Sequence, residues 1–521
     1  MRKLVYWFGA LSCLLIGLPG QALAAKATFK ISYDSRSLAT TLYYPDKASV
    51  IRGVLVFTGG ASGSGSGDTR GFTEQKFWQR FGDAFGFGVI GTQFSGQYAT
   101  ASGGTGQALL DTLAAYAKAT QHPELEHVPL LLEGFSNGGY FSFTFAQFAP
   151  ERVIAFCLNK SGFAKAPLDE AFLAVPGLLL WGSEEPAKNV PTVVHSLVQQ
   201  GRAKHALWAE LKEWGAAHEE GEAERAFAPF FAEMIAARYP IDSSPLDGPV
   251  PLIALREQAG WLADNDAASI EANVPRSAAF ADYDGDRATA SWLPSESMAN
   301  VWRGFATEHP ISLTSPAAGA QLDANQSLQL TATGIPSADS ASFWAGATTI
   351  ADHVTASGGQ AKAYWTAAQG GVQGLLVVAT NSNAEVTRVS RPVQVVLFGK
   401  PAPQGAPAPV DTAAANGGAG GSSSTPGASA TAGAGGERAP AAQPTLGNAG
   451  ALAADGGAPS PGSFADRDSS RVEGGCSVCG RAGARSSAGL GVGWVGLWLW
   501  FSGRRRAHVR SVPAEVHCES R

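Results

Sequence analysis

The residue whose surroundings most clearly suggest chemistry is a serine flanked by glycines. Ser136 lies in the string Gly134-Phe135-Ser136-Asn137-Gly138, which matches the pattern G-x-S-x-G. In this pattern a sharp turn between a strand and a helix exposes the serine hydroxyl, and the glycines remove side chains that would clash with nearby backbone. Such a hydroxyl can act as a nucleophile when a neighbouring base takes its proton.

The sequence on both sides of this string predicts the elements that the turn requires. A short glycine-containing pattern is weak evidence alone in a chain with 63 glycines. The apolar run VPLLLE predicts a buried strand directly before it, and the run GYFSF predicts the start of a helix directly after it. Over residues 25–239 the sequence therefore resembles the α/β-hydrolase superfamily.

This resemblance implies a triad in the chain order nucleophile, acid, histidine, with each residue following a strand. After the predicted strand PGLLLW the family pattern places the acid at Glu185, with Glu184 as the alternate. After the predicted strand ALWAELKEW the family's histidine loop corresponds to His218. His218 would take the proton of Ser136 and return it to the leaving group, while the carboxylate orients the imidazole and stabilises its charged form.

The resemblance also implies an oxyanion hole, in which two backbone N–H groups point at the charge that develops on the substrate. Asn137, directly after the nucleophile, supplies one donor. The other belongs to the loop after GVLVFT, where Thr58-Gly59-Gly60 takes the place of the family's HGG-type motif, so that Gly60 or Ala61 is the candidate. We expect neither a metal nor a cofactor for this chemistry.

The elements that must position these residues follow a regular pattern along the chain. In residues 25–239, short β-rich runs alternate with helical patterns, which predicts an α/β domain with a mostly parallel sheet and helices on both faces. Residues 240–309 are rich in Pro and Asp, and we interpret them as an extension packed on this domain, with a helix at 251–263. Residues 310–398 carry short alternating runs, which predicts an all-β sandwich and resembles bacterial Ig-like modules of secreted proteins.

The N-terminal end and the segment after the sandwich indicate an exported protein. Residues 1–24 combine Arg2 and Lys3 with an apolar run and a small-residue cleavage site, which is the pattern of a signal peptide removed by signal peptidase. Residues 399–473 consist mainly of Gly, Ala, Pro and Ser and cannot bury enough apolar surface to offset chain ordering. We therefore predict a disordered linker there.

A sorting signal is predicted after the linker, at residues 474–506. A Gly-Cys motif at Cys476, an apolar run at 488–503 and an arginine cluster resemble the MYXO-CTERM signal of exported surface proteins, and a tail follows at 507–521. The resemblance implies a transmembrane segment at 488–503 and processing near Cys476 by a dedicated protease, with attachment to the cell surface or envelope or release from it. A plain C-terminal membrane anchor with its arginines on the cytoplasmic side is the alternative.

These observations together favour an exported hydrolase. The net charge of −6 and the absence of a basic cluster in the body of the chain make nucleic acid a poor candidate partner. The leading hypothesis is a surface-anchored serine hydrolase that cleaves small or polymeric carboxylic esters through an acyl-enzyme. A peptidase or amidase on the same fold is one alternative because the triad chemistry is shared, and a surface adhesion protein with an inactive hydrolase fold is another.

Overall fold

The structure is a computed structural model, and it describes residues 25–46, 48–62, 65–96, 98, 100–162, 168–186, 189–265 and 275–399. The predicted signal peptide, the linker apart from Gly399, the transmembrane segment and the sorting signal around Cys476 lie outside these residues. Among the helices that are described, none has the length and apolar character needed to cross a membrane.

An eight-stranded sheet forms the centre of the first domain. Its strands are β1 (Ala25–Tyr33), β2 (Arg36–Tyr44), β3 (Gly53–Thr58), β6 (Phe87–Phe94), β7 (Leu130–Phe135), β8 (Val153–Asn159), β9 (Gly177–Gly182) and β10 (Trp208–Glu213), and a short hairpin of β4 (Ala61–Ser62) and β5 (Gly65–Ser66) follows β3. The spatial order is β1-β2-β6-β3-β7-β8-β9-β10. The first two strands pair antiparallel, and the run from β6 to β10 is parallel.

Helices cover both faces of this sheet because consecutive strand residues point to opposite sides. The helices are α1 (Lys76–Phe85), α2 (Thr105–Thr120), α3 (Asn137–Phe148), α4 (Glu170–Leu173), α5 (Asn189–Arg202) and α6 (Glu224–Arg238). Val54 and Val56 of β3 join one apolar cluster together with α2 to α5, whereas Leu55 and Phe57 join a second cluster with α1 and α6. The predicted mostly parallel sheet with helices on both faces is therefore confirmed.

The segment after α6 contains a small antiparallel sheet and a helix. Its elements are β11 (Trp261–Ala263), β12 (Ser277–Ala279), β13 (Ser291–Leu293) and α7 (Glu296–Ala306), and the strand order is β12-β11-β13. Trp292 and Trp302 are buried in the same cluster as α1 and α6. Ser295 caps α7, because its side chain accepts a hydrogen bond from the backbone N–H of Met298 at 3.1 Å.

The prediction of a helix at residues 251–263 is wrong. The structure has a single 3₁₀ turn at Glu257–Ala259, followed by strand β11. The backbone N–H of Ile253 donates to the carbonyl of Arg238 at 2.9 Å. The Arg238 guanidinium in turn donates to the carbonyl of Ile253 at 3.2 Å. A helix that began at residue 251 would pair the Ile253 carbonyl with a backbone N–H four residues later, whereas in the structure this carbonyl accepts from Arg238 at the end of α6.

Residues 312–398 form the predicted β-sandwich, in which two sheets share one apolar core. The strands are β14 (Ser312–Ser315), β15 (Gln321–Asp323), β16 (Ser327–Thr333), β17 (Ser340–Ala345), β18 (Thr348–Thr355), β19 (Gln360–Thr366), β20 (Gly371–Thr380), β21 (Val386–Val389) and β22 (Val393–Phe398). One sheet has the order β14-β16-β19, and the other has β15-β22-β20-β17-β18 with β21 beside β20. The sandwich and the α/β domain form one compact unit.

An aromatic cluster on the α4 side of the sheet provides a test of the core. The fully buried ring of Phe172 lies 4.8 Å from that of Phe143, 5.7 Å from Phe156 and 5.1 Å from Trp208 between ring centroids. We expect Phe172→Ala to lower the free energy of unfolding by about 3–5 kcal/mol, because it leaves a cavity that the packed rings cannot fill. Phe148, which is 40% exposed, is the matched control. Denaturant unfolding that gives equal losses for Phe172→Ala and Phe148→Ala would contradict the packing.

Candidate active site

Three strands of the parallel sheet end at one edge, and each is followed by a residue of the predicted triad. Ser136 follows β7, Glu185 follows β9 and His218 follows β10. The hydroxyl oxygen of Ser136 lies 2.9 Å from Nε2 of His218, and Nδ1 of His218 lies 3.0 Å from each carboxylate oxygen of Glu185. The structure thus joins the three side chains in one hydrogen-bonded chain.

The partners of the imidazole determine which of its nitrogens carries the proton. An ionised carboxylate only accepts hydrogen bonds, so Nδ1–H of His218 donates to Glu185. In the neutral ring Nε2 is then the acceptor for the hydroxyl proton of Ser136. The Glu185 side chain is 1% exposed, whereas Glu184 is exposed and its backbone N–H donates to the carbonyl of Ala216 at 2.9 Å. Of the two candidate acids, it is Glu185 that contacts the histidine.

The backbone at Ser136 adopts φ 54° and ψ −118°, a conformation that costs a residue with a side chain about 1–3 kcal/mol. Two glycines allow the turn. A Cβ atom on Gly134 would lie 2.1 Å from the carbonyl oxygen of Gly138, and one on Gly138 would lie 2.2 Å from the carbonyl oxygen of Thr58. The Thr58 hydroxyl donates to the carbonyls of Gly138 and Glu133, at 3.0 and 3.1 Å. Thr58 therefore attaches the end of β3 to this turn.

The two segments predicted to supply oxyanion donors lie beside the nucleophile. Asn137 is the first residue of α3, where backbone N–H groups have no partner within the helix and carry partial positive charge. A Cβ atom on Gly60 would lie 3.2 Å from Cβ of Ser136 and 3.1 Å from the ring of Phe135. Gly60 thus packs directly against the turn, and Ala61 begins the short strand β4.

The turn that carries Glu185 and the loop that carries His218 are joined by backbone hydrogen bonds. The N–H of Ser183 donates to the carbonyl of Glu213 at 2.9 Å, and the N–H of Gly215 donates to the hydroxyl of Ser183 at 2.8 Å. These contacts, with the bond from Glu184 to the histidine loop, fix the acid and the base relative to each other.

A buried ion pair lies at the base of the histidine loop, which comprises residues 214–222. The Nζ atom of Lys160 lies 2.6 Å from a carboxylate oxygen of Glu213, and the two side chains are 0% and 1% exposed. The other Glu213 oxygen accepts the backbone N–H of Glu222 at 2.6 Å, which closes the loop. The sequence patterns did not predict this ion pair. Its signal was a lysine directly after the apolar strand β8 and a glutamate at the end of β10, which point to the same edge of the sheet.

Glu133 lies in β7, three residues before the nucleophile, and is buried. Burial raises the pKa of its carboxyl to about 8, and repulsion from Glu220 adds to the increase. A hydrogen bond with Asn159 and the charge of Lys160 act in the opposite direction. The carboxyl therefore holds its proton at neutral pH, directly beneath the turn that presents Ser136.

The strand order, the strained turn between β7 and α3, and the acid and histidine after β9 and β10 define an α/β-hydrolase fold. No protein-family model and no curated protein matches the sequence. Within the residues that the structure describes, no group of three or more His, Cys, Asp or Glu side chains could hold a metal ion.

Searches of solved structures found similar proteins for both domains. One is a predicted CIB-like hydrolase from Thermoplasma acidophilum, with 14% identity, 40% of this chain and 98% of that chain covered, and a TM-score of 0.28. An esterase of Pyrobaculum calidifontis has 13% identity, coverage of 40% and 84%, and a TM-score of 0.30. The fibronectin(III)-like modules of Clostridium thermocellum CbhA have 25% identity, coverage of 17% and 93%, and a TM-score of 0.15. The fold class rests on the strand topology and the geometry of the site.

The raised pKa of Glu133 gives a pH-dependent contribution to stability. Between the ordinary pKa of 4.5 and about 8, the folded protein keeps a proton that the unfolded chain has released. The contribution of Glu133 to the free energy of unfolding therefore declines as pH rises through this window and is constant above it. We expect Glu133→Gln to remove this decline, so that the variant gains stability relative to the wild type as the pH rises from about 5 to about 8, within this window.

Denaturant unfolding of both proteins at several pH values measures this difference. Glu126→Gln, at an exposed position, is the matched control and should follow the wild-type curve. Parallel pH profiles for the wild type and Glu133→Gln would contradict the buried, protonated state of Glu133.

Proposed function

We propose that this protein is a serine hydrolase that cleaves carboxylic esters through an acyl-enzyme. The observation that carries the proposal is the hydrogen-bonded chain from Glu185 through His218 to Ser136. The backbone strain at Ser136 supports it, because strained residues of this kind concentrate at functional sites.

In the proposed reaction the Ser136 oxygen attacks the ester carbonyl while Nε2 of His218 takes the hydroxyl proton. The N–H groups of Asn137 and of Gly60 or Ala61 stabilise the oxyanion of the tetrahedral intermediate. His218 then gives the proton to the departing alcohol, which leaves Ser136 acylated. Water then attacks the acyl-enzyme while His218 takes its proton. The carboxylic acid product is released, and His218 returns the proton to the Ser136 oxygen, which restores the free serine. Glu185 stays ionised throughout and stabilises the charged imidazole.

We propose an ester rather than an amide because an alcohol departs more readily than an amine, so the chemistry requires less of the site. Both small and polymeric esters remain within the proposal.

We further propose that the enzyme acts outside the cytoplasm, on the basis of the signal-peptide pattern at 1–24 and the resemblance of residues 474–506 to a sorting signal. Fractionation of cells, followed by mass spectrometry of the mature protein's termini, tests this location.

Replacing the nucleophile tests the function directly. We expect a fluorophosphonate probe to label the wild type at Ser136, and we expect the wild type to hydrolyse a p-nitrophenyl ester faster than the matching p-nitroanilide. Ser136→Ala should abolish both labelling and turnover with an unchanged circular dichroism spectrum, because Ala lacks only the hydroxyl. Ester turnover that survives in Ser136→Ala would refute the assignment, and turnover of the anilide alone would replace the esterase with an amidase.

The adjacent glutamates form a matched pair for testing the acid. We expect Glu185→Gln to lower kcat by about 10²- to 10⁴-fold, because a neutral amide no longer stabilises the charged imidazole or fixes the proton on Nδ1. Glu184→Gln, which removes the same charge at an exposed neighbouring position, should retain the wild-type kcat. Steady-state kinetics on the p-nitrophenyl ester separates the two variants. The reverse order of effects would assign the acid to Glu184.

A further inference from the structure

Both ends of the histidine loop are held from outside the α/β domain by one side chain of the β-sandwich. Arg391 lies between β21 and β22. One guanidinium nitrogen donates to the backbone carbonyl of Trp214, where the loop begins, at 2.6 Å. Another donates to the carboxylate of Glu222, where the loop ends, at 2.8 Å. His218 lies between these two points.

The backbone next to Arg391 is anchored in the sandwich. Its neighbour Ser390 is fully buried and makes two hydrogen bonds with Val377 of β20. The Ser390 N–H donates to the Val377 carbonyl at 2.8 Å, and the Val377 N–H donates to the Ser390 hydroxyl at 2.9 Å. Gly304 of α7 permits this close approach, because a Cβ atom there would lie 2.2 Å from the Ser390 carbonyl oxygen. The guanidinium therefore projects from a fixed point.

The surroundings of the guanidinium strengthen its hold on the loop. The Arg391 side chain is only 16% exposed, and its guanidinium lies 5.1 Å from the ring centroid of Phe305, so water competes weakly for its hydrogen bonds. Glu222 also pairs with Arg225 at 2.9 Å through its other oxygen. The contact between Arg225 and Glu222 is local to the start of α6, whereas Arg391 contacts both Glu222 and Trp214.

We propose that Arg391 is a positioning residue for His218, which makes the β-sandwich a functional part of the active centre. The inference rests on the proposed function. The Glu213 carboxylate closes the loop from the interior of the α/β domain, and Arg391 closes it from the sandwich. With both in place the imidazole is held at hydrogen-bond distance from Ser136. Loss of Arg391 frees the carbonyl of Trp214 and lets the loop sample positions in which the proton cannot transfer.

Kinetics of Arg391→Ala on a soluble p-nitrophenyl ester test the proposal. We expect kcat to fall by about 10- to 100-fold, because displacement of a catalytic group by about 1 Å has effects of this size, while KM changes little. Guanidinium ion at non-denaturing concentration should restore part of the lost kcat. Arg388→Ala is the matched control, since Arg388 lies three residues earlier and donates to the Gly334 carbonyl within the sandwich at 3.0 Å.

A double-mutant cycle with Glu222→Gln tests the route of the effect. Because Arg391 acts partly through Glu222, Arg391→Ala should lower kcat by a smaller factor in the Glu222→Gln background than in the wild type. If Arg391→Ala does not fold, Glu222→Gln alone carries the test, and its kcat should fall without a matching change in KM.

The outcomes separate the two proposals. A wild-type kcat in folded Arg391→Ala, or equal losses in Arg391→Ala and Arg388→Ala without rescue by guanidinium, would overturn the positioning role while Ser136-dependent turnover still stands. A wild-type kcat in Glu222→Gln would overturn it where Arg391→Ala is unfolded. A wild-type protein without Ser136-dependent labelling or turnover would overturn the proposed function itself, and the positioning role with it.

Discussion

Ser136 is held at φ 54° and ψ −118°, and the surrounding structure must supply the energy that keeps it there. The cost of about 1–3 kcal/mol is small beside the free energy gained by burying the apolar side chains of β7 and α3. Strand β7 lies in the centre of the sheet, and α3 packs against the sheet. The two elements impose the turn from either side. Gly134 and Gly138 allow close approach of the backbones, and the Thr58 hydroxyl donates to the carbonyl of Gly138. The nucleophile's geometry is therefore a consequence of how strand and helix pack, and it does not depend on a substrate.

The acid and the base have a different problem, because each lies on a loop. Glu185 and His218 follow strands that are neighbours in the sheet, so parallel pairing of β9 with β10 brings their loops together. Backbone hydrogen bonds between the loops then fix the remaining freedom. Beneath them, Lys160 and Glu213 are buried as an ion pair, and removal of either charge would leave the other unpaired at a cost of about 3–5 kcal/mol. Stability and site geometry are thus linked at this point.

The sequence was informative where local pattern and global fold coincide. The β-rich and helical runs of residues 25–239 predicted the sheet, and the glycines around Ser136 predicted its turn. The order of the triad came from family resemblance, and adjacency alone could not separate Glu184 from Glu185. The structure separates them because the bond from the Glu184 N–H to Ala216 sets the course of the turn, and the Glu185 side chain then faces His218.

Other features could not be predicted because they depend on distant contacts. A helix was predicted at residues 251–263, yet the backbone of Ile253 bonds to Arg238 and residues 261–263 form strand β11. The contact from Arg391 to Trp214 joins residues 177 positions apart in the chain. Neither local sequence predicts a contact with the other, and the sandwich was therefore predicted as a separate module.

The carboxyl groups around the histidine loop are accommodated in two ways. Glu133 is held beside Asn159, and burial raises its pKa, so that it remains protonated. Glu213 and Glu222 instead pair with Lys160 and with arginines, respectively. The difference follows from what each group does. Glu213 accepts from the Lys160 ammonium and from a backbone N–H at once, and Glu222 accepts from the Arg391 guanidinium. The two carboxyl groups that close the loop thus pair with cationic side chains, whereas burial raises the pKa of the Glu133 carboxyl.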